Sequence, residues 1–405
     1  LKDYRLAYKS RQASLIGRRE VLSGRAKFGI FGDGKEVAQL AIAHAFKKGD
    51  WRSGYYRDQT WMLGLGVLTL EQFFAQLYAH ADLDFEPATA GRAMNAHFAS
   101  RFINPDGSWK DQTQLYNSSA DVSPTGSQMP RLVGLAFASR LYRELESLKE
   151  ISGFSNRGNE VAWGTIGNAS TAEGMFWESV NAIGVLKAPA VITIYDDDYG
   201  ISVPNKFQMV KENIGEIISG FQRKTARTEK RDGGYDIYTV RAWDYPALLD
   251  TYWAAAKTTR EFHIPTLVHV TEVTQPQGHS TSGSHERYKS KERLAWEAEF
   301  DCNLKMREWM IESEIVTEGE LTVLEKADRK EVESIRKKSW EAFQNPILAE
   351  REEVLEMLST LQEETDAKGE IKAIQAQLLN NPIAQRRDQH VAVHAALREL
   401  RQNSA

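Results

Sequence analysis

The sequence of 405 residues predicts an α/β protein whose mainly parallel sheet is covered by helices on both faces. Residues 161–204 show the pattern of a strand, a glycine turn, a helix and a second strand. A further strand–helix–strand succession lies between residues 235 and 270, and the chain beyond residue 292 is helical and rich in charge. In parallel sheets built this way, ligands usually bind at the carboxyl ends of the strands.

Composition excludes several classes of function. A hydrophobic content of 41% is enough for a large core, and a net charge of −5 argues against nucleic acid as a partner. The one cysteine, Cys302, excludes a disulfide framework and a cysteine-based zinc site, and we expect it to be packed. Without a long apolar stretch or a signal peptide, the sequence predicts no membrane partner and a cytoplasmic location.

The N-terminal part, residues 1–60, is predicted to be a helical segment. Residues 1–22 form a basic amphipathic helix, and a second helical pattern follows Gly34. Between them lies a glycine-rich loop, residues 24–34, which no strand precedes. We therefore predict that this loop has no role in ligand binding.

The central motif begins with an apolar strand at residues 161–165, and Gly167 follows in a turn. Pro189 ends the intervening helix, and residues 190–194 form the second apolar strand. Strand, helix and strand together make a βαβ unit, in which the two strands are parallel neighbours.

Capping signals predict where the intervening helix begins and ends. Ser170 or Thr171 is expected to cap its N-terminus. Glu173 would then lie in the first turn and Lys187 in the last, where each complements the helix dipole.

Oxygen-bearing side chains follow both strands of this unit. Asn168 follows the first strand, and Asp196, Asp197 and Asp198 follow the second. Magnesium prefers oxygen ligands and often shares them with a phosphate, and a turn into a helix offers N–H groups to the same phosphate. The pattern predicts a magnesium–diphosphate site.

These residues resemble the thiamine-diphosphate motif, in which a G-D-G turn is followed, after a helix and a strand, by N-N. Here G-N-A and D-D are separated by twenty-six residues, 170 to 195. The next residues, Y-G-I-S-V-P, are similar to the Y-A-I-S-x-P of the alpha subunit of 2-oxo acid dehydrogenases, the decarboxylating first component. The resemblance implies a thiamine-diphosphate-binding fold. The cofactor-binding residues that it implies here are Gly167, Asn168, Ala169, Ser170 and Asp197, and the implied metal ligands are Asn168, Asp197 and Tyr199.

Two departures from that motif are opposite in charge. Asn168 stands where the family has an acid, and Asp197 stands where it has the second asparagine. The pair would still offer magnesium one carboxylate and one amide oxygen. We interpret this as a compensated exchange, with a decayed site as the alternative.

Earlier motifs fall in the order that the same family shows. Tyr56 and Arg57 match its Y-R pair, which reaches the terminal phosphate, and His97 matches a histidine placed near the cofactor, in a catalytic role. In V-S-P-T-G-S-Q-M-P, Ser123 and Thr125 match a loop that meets the aminopyrimidine through backbone groups and can hold potassium.

The segment G-H-S-T-S-G-S-H resembles the family's G-H-S-T-S-D-D loop. By this resemblance His279 lies over the cofactor and assists acyl transfer to the lipoyl arm of an acyltransferase, a role suited to a group that titrates near neutral pH. Gly283 and Ser284 replace the D-D pair, so a looser loop is expected.

The remaining pattern completes the predicted organisation. Residues 61–345 would form the thiamine-diphosphate domain, with a helix over 245–262 between its last strands. Residues 346–405 are predicted to be a helical connector or docking extension, with breaks at Asn345-Pro346 and Asn381-Pro382.

The resemblance implies an enzyme that decarboxylates a 2-oxo acid with thiamine diphosphate and magnesium. The family's activating glutamate comes from a beta subunit or fused beta half, which this sequence does not contain, so activity is expected only with that partner. Two alternatives stay open: an acetoin-cleaving relative, and a non-catalytic subunit that keeps the fold for assembly.

Overall fold

A computed structural model of the protein describes residues 1–224 and 233–403. The chain forms two compact units, Leu1–Glu333 and Ser334–Ala405. The predicted division at residues 60 and 345 stays a prediction. The final two residues of the predicted C-terminal extension lie outside the described part.

One parallel sheet forms the centre of the first unit. Its strands run in the order β2-β1-β3-β4-β8-β7, and every neighbouring pair is parallel. A small antiparallel pair, β5 and β6, follows β4. The strands are β1 Trp51–Ser53, β2 Asn117–Ser118, β3 Ala162–Gly167, β4 Ala190–Tyr195, β5 Tyr199–Gly200, β6 Val203–Pro204, β7 Asp236–Arg241 and β8 Thr266–Thr271.

Helices surround this sheet and make up the second unit. Their bounds are α1 Lys2–Leu22, α2 Glu36–Ala45, α3 Gln59–Gly64, α4 Leu70–Leu77, α5 Gln128–Glu144, α6 Glu146–Lys149, α7 Gly174–Leu186, α8 Ile214–Ile218, α9 Tyr245–Phe262, α10 Lys291–Glu299, α11 Cys302–Glu312, α12 Glu318–Glu364, α13 Lys368–Leu379 and α14 Arg386–Asn403. No helix within the described residues is both long and apolar enough to cross a membrane.

Both faces of the sheet are covered, as the alternating pattern predicts. Ile166 and Ile192 belong to a fully buried cluster with apolar side chains of α5 and α7. On the other face, Thr193 shares a 3.1 Å hydrogen bond with Tyr252 of α9, whose ring also lies beside Trp163. The predicted α/β class and its covered parallel sheet are confirmed.

Residues in β3 and β4 are paired so that the two strands end at the same level. Gly167, the last residue of β3, is opposite Tyr195, the last residue of β4. Asn168 and Asp196 therefore leave the sheet side by side. This register places the two halves of the central motif at one edge, where parallel sheets bind ligands.

The start of the central helix differs from the prediction. Residues Asn168–Ala172 form a 3₁₀ turn, and α7 begins only at Gly174 with Glu173 as its N-cap residue. The predicted cap by Ser170 or Thr171 is wrong, because the hydroxyl of Thr171 donates to the Asn168 carbonyl inside the turn. The extra turn leaves its residues at the strand end instead of inside the helix.

One of the two predicted helix breaks is wrong. The helix α12 continues through Pro346, although proline removes one backbone donor. The break at residues 381–382 is confirmed, since α13 ends at Leu379 and α14 begins at Arg386. In the second unit, α13 and α14 pack with the end of α12 around Leu358 and Ile371.

Candidate active site

A cavity of about 350 Å³ opens at the carboxyl ends of β3 and β4. Ten of the twelve predicted site residues line it, although they come from five separate stretches of chain. These ten are Tyr56, Arg57, Thr125, Gly167, Asn168, Ala169, Ser170, Asp197, Tyr199 and His279.

The other two predicted residues, His97 and Ser123, do not line this cavity. They bond to each other, with 3.0 Å between His97 Nε2 and Ser123 Oγ. The His97 ring is buried and stacks on Tyr56, with centroids 6.3 Å apart. His97 thus supports the wall from behind through Tyr56, and its predicted contact with a ligand stays a prediction.

Arg57 ties two loops together at the mouth of the cavity. Its Nη1 donates to the Phe31 carbonyl at 2.7 Å, and its Nη2 donates to the His279 carbonyl at 3.0 Å. A Cβ at Gly32 would lie 2.2 Å from the Arg57 carbonyl oxygen, so only glycine allows this approach. Two nitrogens of the guanidinium are therefore already engaged by main-chain oxygens.

The glycine-rich loop, residues 24–34, is part of this arrangement. Gly29 and Thr281 pair through two hydrogen bonds, from Thr281 N to Gly29 O and from Gly29 N to Thr281 Oγ1. The loop therefore packs on the H-S-T-S segment beside the cavity. Residues 24–34 do not themselves line the cavity, so the prediction that this loop has no role in ligand binding stays a prediction. Its contact with Thr281 joins residues 252 positions apart and has no local sequence signal.

His279 is half-buried in the wall, and its environment makes it less basic than a free histidine. Burial lowers the pKa of His279 to about 4, and the positive charges of Arg57 and Lys35 act in the same direction. The imidazole is therefore neutral at physiological pH. This differs from the expectation of a group that titrates near neutrality.

Asn168 is held in one orientation by a chain of buried groups. Its Nδ2 donates to Asn205 Oδ1 at 2.7 Å, and Asn205 Nδ2 donates to Asp196 Oδ1 at 3.2 Å. Asp196 Oδ2 lies 2.9 Å from Nε2 of the buried His269. Because the amide nitrogen of Asn168 is taken, its amide oxygen is the atom that can meet a ligand.

Asp197 supplies a carboxylate to the cavity wall. Burial raises the pKa of Asp197, while the cations Lys35, Lys289 and Arg57 oppose that rise. Its Oδ1 accepts a 3.3 Å hydrogen bond from the backbone of Tyr199. One carboxylate and one amide oxygen on neighbouring strand ends are a donor set that suits magnesium together with phosphate oxygens.

The described part of the chain holds no cluster of three or more histidine, cysteine or acidic side chains that could bind a metal ion. The predicted magnesium ligands include only one acid, Asp197, and so do not form a cluster of that kind. The residues of the cavity fit a magnesium ion with a diphosphate. Asn168 and Asp197 offer oxygen ligands to the metal, and the turn beside them offers N–H groups to the phosphate.

Lys35 is one of the cavity residues that sequence reasoning missed. It precedes α2, its side chain is buried, and it lines the cavity beside Arg57. Burial lowers the pKa of Lys35 to about 8, and Arg57 adds to this effect. The signal was a lysine between a glycine and a helix start, at the beginning of a segment to which only a helical pattern had been assigned.

Glu173 is a second missed residue of the wall. Its Oε1 accepts a 2.6 Å hydrogen bond from Thr125 Oγ1, which joins the S-P loop to the turn after β3. The sequence had assigned Glu173 only to the helix dipole. The potassium predicted for the S-P loop stays a prediction.

A compensated charge cluster lies next to the segment that carries Tyr56 and Arg57. Arg52 of β1 donates six hydrogen bonds, to Asp58, Asp121, Ser118 and the carbonyl of Tyr55, at distances from 2.7 to 3.1 Å. The side chains of Arg52, Asp58 and Asp121 are fully buried. This cluster fixes the backbone just before Tyr56 and Arg57.

Comparison with known proteins agrees with this geometry. Residues 4–347 match the family model described as the dehydrogenase E1 component. The chain is 26% identical over 305 residues to the 2-oxoisovalerate dehydrogenase subunit alpha of Bacillus subtilis, covering 75% of this chain and 79% of that protein. It is 27% identical over 220 residues to the pyruvate dehydrogenase E1 component subunit alpha of Acholeplasma laidlawii, covering 53% of this chain and 51% of that protein.

A similar level of likeness extends to a nematode protein. Identity to the mitochondrial 2-oxoisovalerate dehydrogenase subunit alpha of Caenorhabditis elegans is 26% over 272 residues, or 67% of this chain and 52% of that protein. The chain thus spans only about half the length of two of these three relatives. Because the family model covers most of the sequence, and because the relatives bear out the resemblance to alpha subunits seen in the motifs, this chain belongs to the dehydrogenase E1 component family.

Proposed function

We propose that this chain is the alpha part of a thiamine-diphosphate-dependent 2-oxo acid dehydrogenase. It would take part in the oxidative decarboxylation of a 2-oxo acid and in transfer of the acyl group to a lipoyl-bearing acyltransferase. One observation carries the proposal: ten motif residues, spread along the chain from Tyr56 to His279, line a single cavity. Membership of the dehydrogenase E1 component family supports the same reaction class.

The cavity suits a diphosphate and magnesium. Its volume of about 350 Å³ is within the range of small-molecule sites. Asn168 and Asp197 would hold magnesium, while the 3₁₀ turn with Ser170 and the side chain of Arg57 would hold phosphate oxygens. When bound, the cofactor would supply a nucleophilic carbon and an electron sink for the electron pair released on decarboxylation.

The chain's own residues bind, orient and shield. His279 is neutral in this environment, so its ring can accept a hydrogen bond in the cavity without adding a third positive charge. Arg57 fixes the main chain of His279, which places the imidazole relative to the phosphate end. The buried ion pairs around Arg52 hold the backbone that leads into Tyr56 and Arg57.

The proposal includes partners that bind elsewhere. A beta subunit, or a fused beta half, would supply the activating glutamate, and the acyltransferase would present its lipoyl arm at the cavity mouth. The cytoplasmic location predicted from the sequence stays a prediction. Acetoin cleavage and a non-catalytic assembly role are the alternatives against which the proposal is tested.

The test is reduction of an artificial electron acceptor by the complete enzyme with its beta part present. The assay contains thiamine diphosphate and magnesium and compares pyruvate, branched-chain 2-oxo acids and acetoin. We expect turnover with a 2-oxo acid and its loss when magnesium is removed. Turnover with acetoin alone would move the chain to the acetoin-cleaving class, and no turnover by a folded, cofactor-loaded assembly would favour the assembly role.

A matched pair of histidine variants sharpens this assay. His279→Ala removes the imidazole that lines the cavity, whereas His285→Ala changes the same loop at a residue outside the cavity wall. We expect acyl transfer to lipoyl domain to fall at least ten-fold in the first variant, as is typical for loss of a positioned acid–base group. The second variant should stay within about two-fold of the parent; equal losses would mean that only loop order matters.

A further inference from the structure

We propose that Lys35 is a phosphate ligand of this site, and that it carries the charge recognition which the motif alone would give to Arg57. The inference rests on the proposed function, because it assigns a residue to the diphosphate end of the same cavity.

The first argument is that the Lys35 ammonium has little to bind within the protein. Its side chain is buried, with 3% of the residue exposed, and it lines the cavity. Its one hydrogen bond among the described residues is a long one, 3.4 Å from Nζ to Gln275 Oε1. No acidic oxygen in the described ranges lies within ion-pair distance of it, and a buried charge in that condition is unfavourable unless a ligand compensates it.

The second argument comes from the neighbouring cation. Arg57 already gives two of its nitrogens to the carbonyl oxygens of Phe31 and His279. A guanidinium that is engaged in this way has fewer donors left for a phosphate. Lys35, with three N–H donors and a single weak acceptor, has more to offer.

A second buried lysine shows how this fold treats such a charge where no ligand is expected. Lys289 is also buried, and its Nζ lies 2.6 and 2.9 Å from the two carboxylate oxygens of Glu297. A buried lysine with a structural role is therefore paired with a carboxylate in this fold. Lys35 lacks that pairing and faces the cavity instead.

The acids near Lys35 have other partners or lie beyond contact. Glu36 binds Arg11 through both carboxylate oxygens, at 2.6 and 2.9 Å, and Asp33 accepts from the backbone of Gln277 at 3.1 Å. Asp197 acts on Lys35 electrostatically across the cavity. A dianionic phosphate placed between the cations would contact Lys35 directly, which Asp197 does not.

The experiment measures binding of inorganic diphosphate, in the presence of magnesium, to the full chain by isothermal titration calorimetry. Lys35→Met removes the ammonium and keeps a side chain of similar length. The control is Lys48→Met, which removes the same charge from an exposed position just beyond α2. We expect the first variant to bind roughly 10- to 100-fold more weakly and the control to match the parent.

Each other outcome has a defined meaning. Equal affinity of Lys35→Met and the parent would overturn the inference while leaving the proposed function intact. Unchanged diphosphate affinity with tighter magnesium binding would also overturn it, by showing that Lys35 only neutralises Asp197. Absence of binding by the parent itself would count against the proposed function.

Folding is checked in the same series by thermal unfolding. If Lys35→Met does not fold, Lys35→Gln is measured in its place, since an amide can still donate to Gln275. Orthophosphate is titrated as a second probe. If Lys35 contacts one phosphate group of diphosphate directly, its removal should weaken diphosphate binding more than orthophosphate binding. Equal losses for the two anions would mean that Lys35 acts only through its positive charge at a distance, contrary to the inference.

Discussion

Arg52 and Lys35 are two buried cations in the same unit, and the fold treats them in opposite ways. Arg52 makes six hydrogen bonds, and two fully buried carboxylates neutralise it. Within residues 1–224 and 233–403, Lys35 makes one long side-chain hydrogen bond, to an amide. The charge of Arg52 is neutralised by the protein itself, whereas the charge of Lys35 remains available to a ligand.

This difference is informative because the cost of an unpaired buried charge is high. A charge with no partner persists only where a function needs it or where a ligand supplies the partner. Arg52 holds the strand and turn that lead to Tyr56 and Arg57, and its energetic effect should appear in folding. The effect of Lys35 should appear in binding.

The largest expected effect is on folding, in Arg52→Leu. This change leaves Asp58 and Asp121 buried without their cation, which should lower the free energy of unfolding by about 3–5 kcal/mol. Urea denaturation followed by far-UV circular dichroism measures it. A suitable control is Arg19→Leu, which breaks an exposed ion pair with Glu333 and should cost less than about 1 kcal/mol. Similar losses for both variants would refute the structural role of the Arg52 cluster.

An intermediate effect is expected when the two metal ligands exchange side chains. Asn168→Asp puts carboxylates at both metal-ligand positions and Asp197→Asn leaves a carboxylate at neither, so each single change should weaken magnesium-dependent binding of thiamine diphosphate by roughly ten-fold or more. The double variant restores one carboxylate and one amide oxygen, and it should bind about as well as the parent. Single variants that match the parent in a magnesium titration would rule out the compensated site.

The smallest effect is expected on the stability of Lys35→Met. Since the ammonium has no acidic partner among the residues that the structure describes, removing it should leave the free energy of unfolding within about 1 kcal/mol of the parent or raise it. The matched variant Lys289→Met breaks a buried ion pair with Glu297 and should be clearly less stable, by about 2 kcal/mol or more. If denaturation shows the same loss in both, Lys35 is a structural residue and the contrast with Arg52 disappears.

Sequence reasoning found the elements with strong local signals. The apolar runs that form β3 and β4 are typical of strands buried on both faces of a parallel sheet. The helix Tyr245–Phe262 has the predicted bounds. The site residues were found through ordered motifs, and ten of twelve line the cavity. The order of strands in the sheet was outside what a local pattern can give.

What was missed depends on contacts between distant parts of the chain. The strands Trp51–Ser53 and Asn117–Ser118 are too short for a periodic signal and exist because β3 pairs with the first of them. Lys35 reaches the cavity because its loop packs on residues near 280. Pro346 lies inside a helix of 47 residues, in which the flanking turns keep their hydrogen bonds and continue past the missing donor.

The engagement of Arg57 by two main-chain carbonyls has an evolutionary consequence. A substitution at Arg57 changes the charge offered to a phosphate and, at the same moment, releases the backbones of Phe31 and His279. Such a position is pleiotropic, because a substitution that changes phosphate affinity also changes the order of the loop that carries His279. In the part of the chain that the structure describes, the Lys35 side chain bonds only to a side-chain amide, so Lys35 is the position where cofactor affinity can be adjusted by single substitutions while the loop architecture is inherited unchanged.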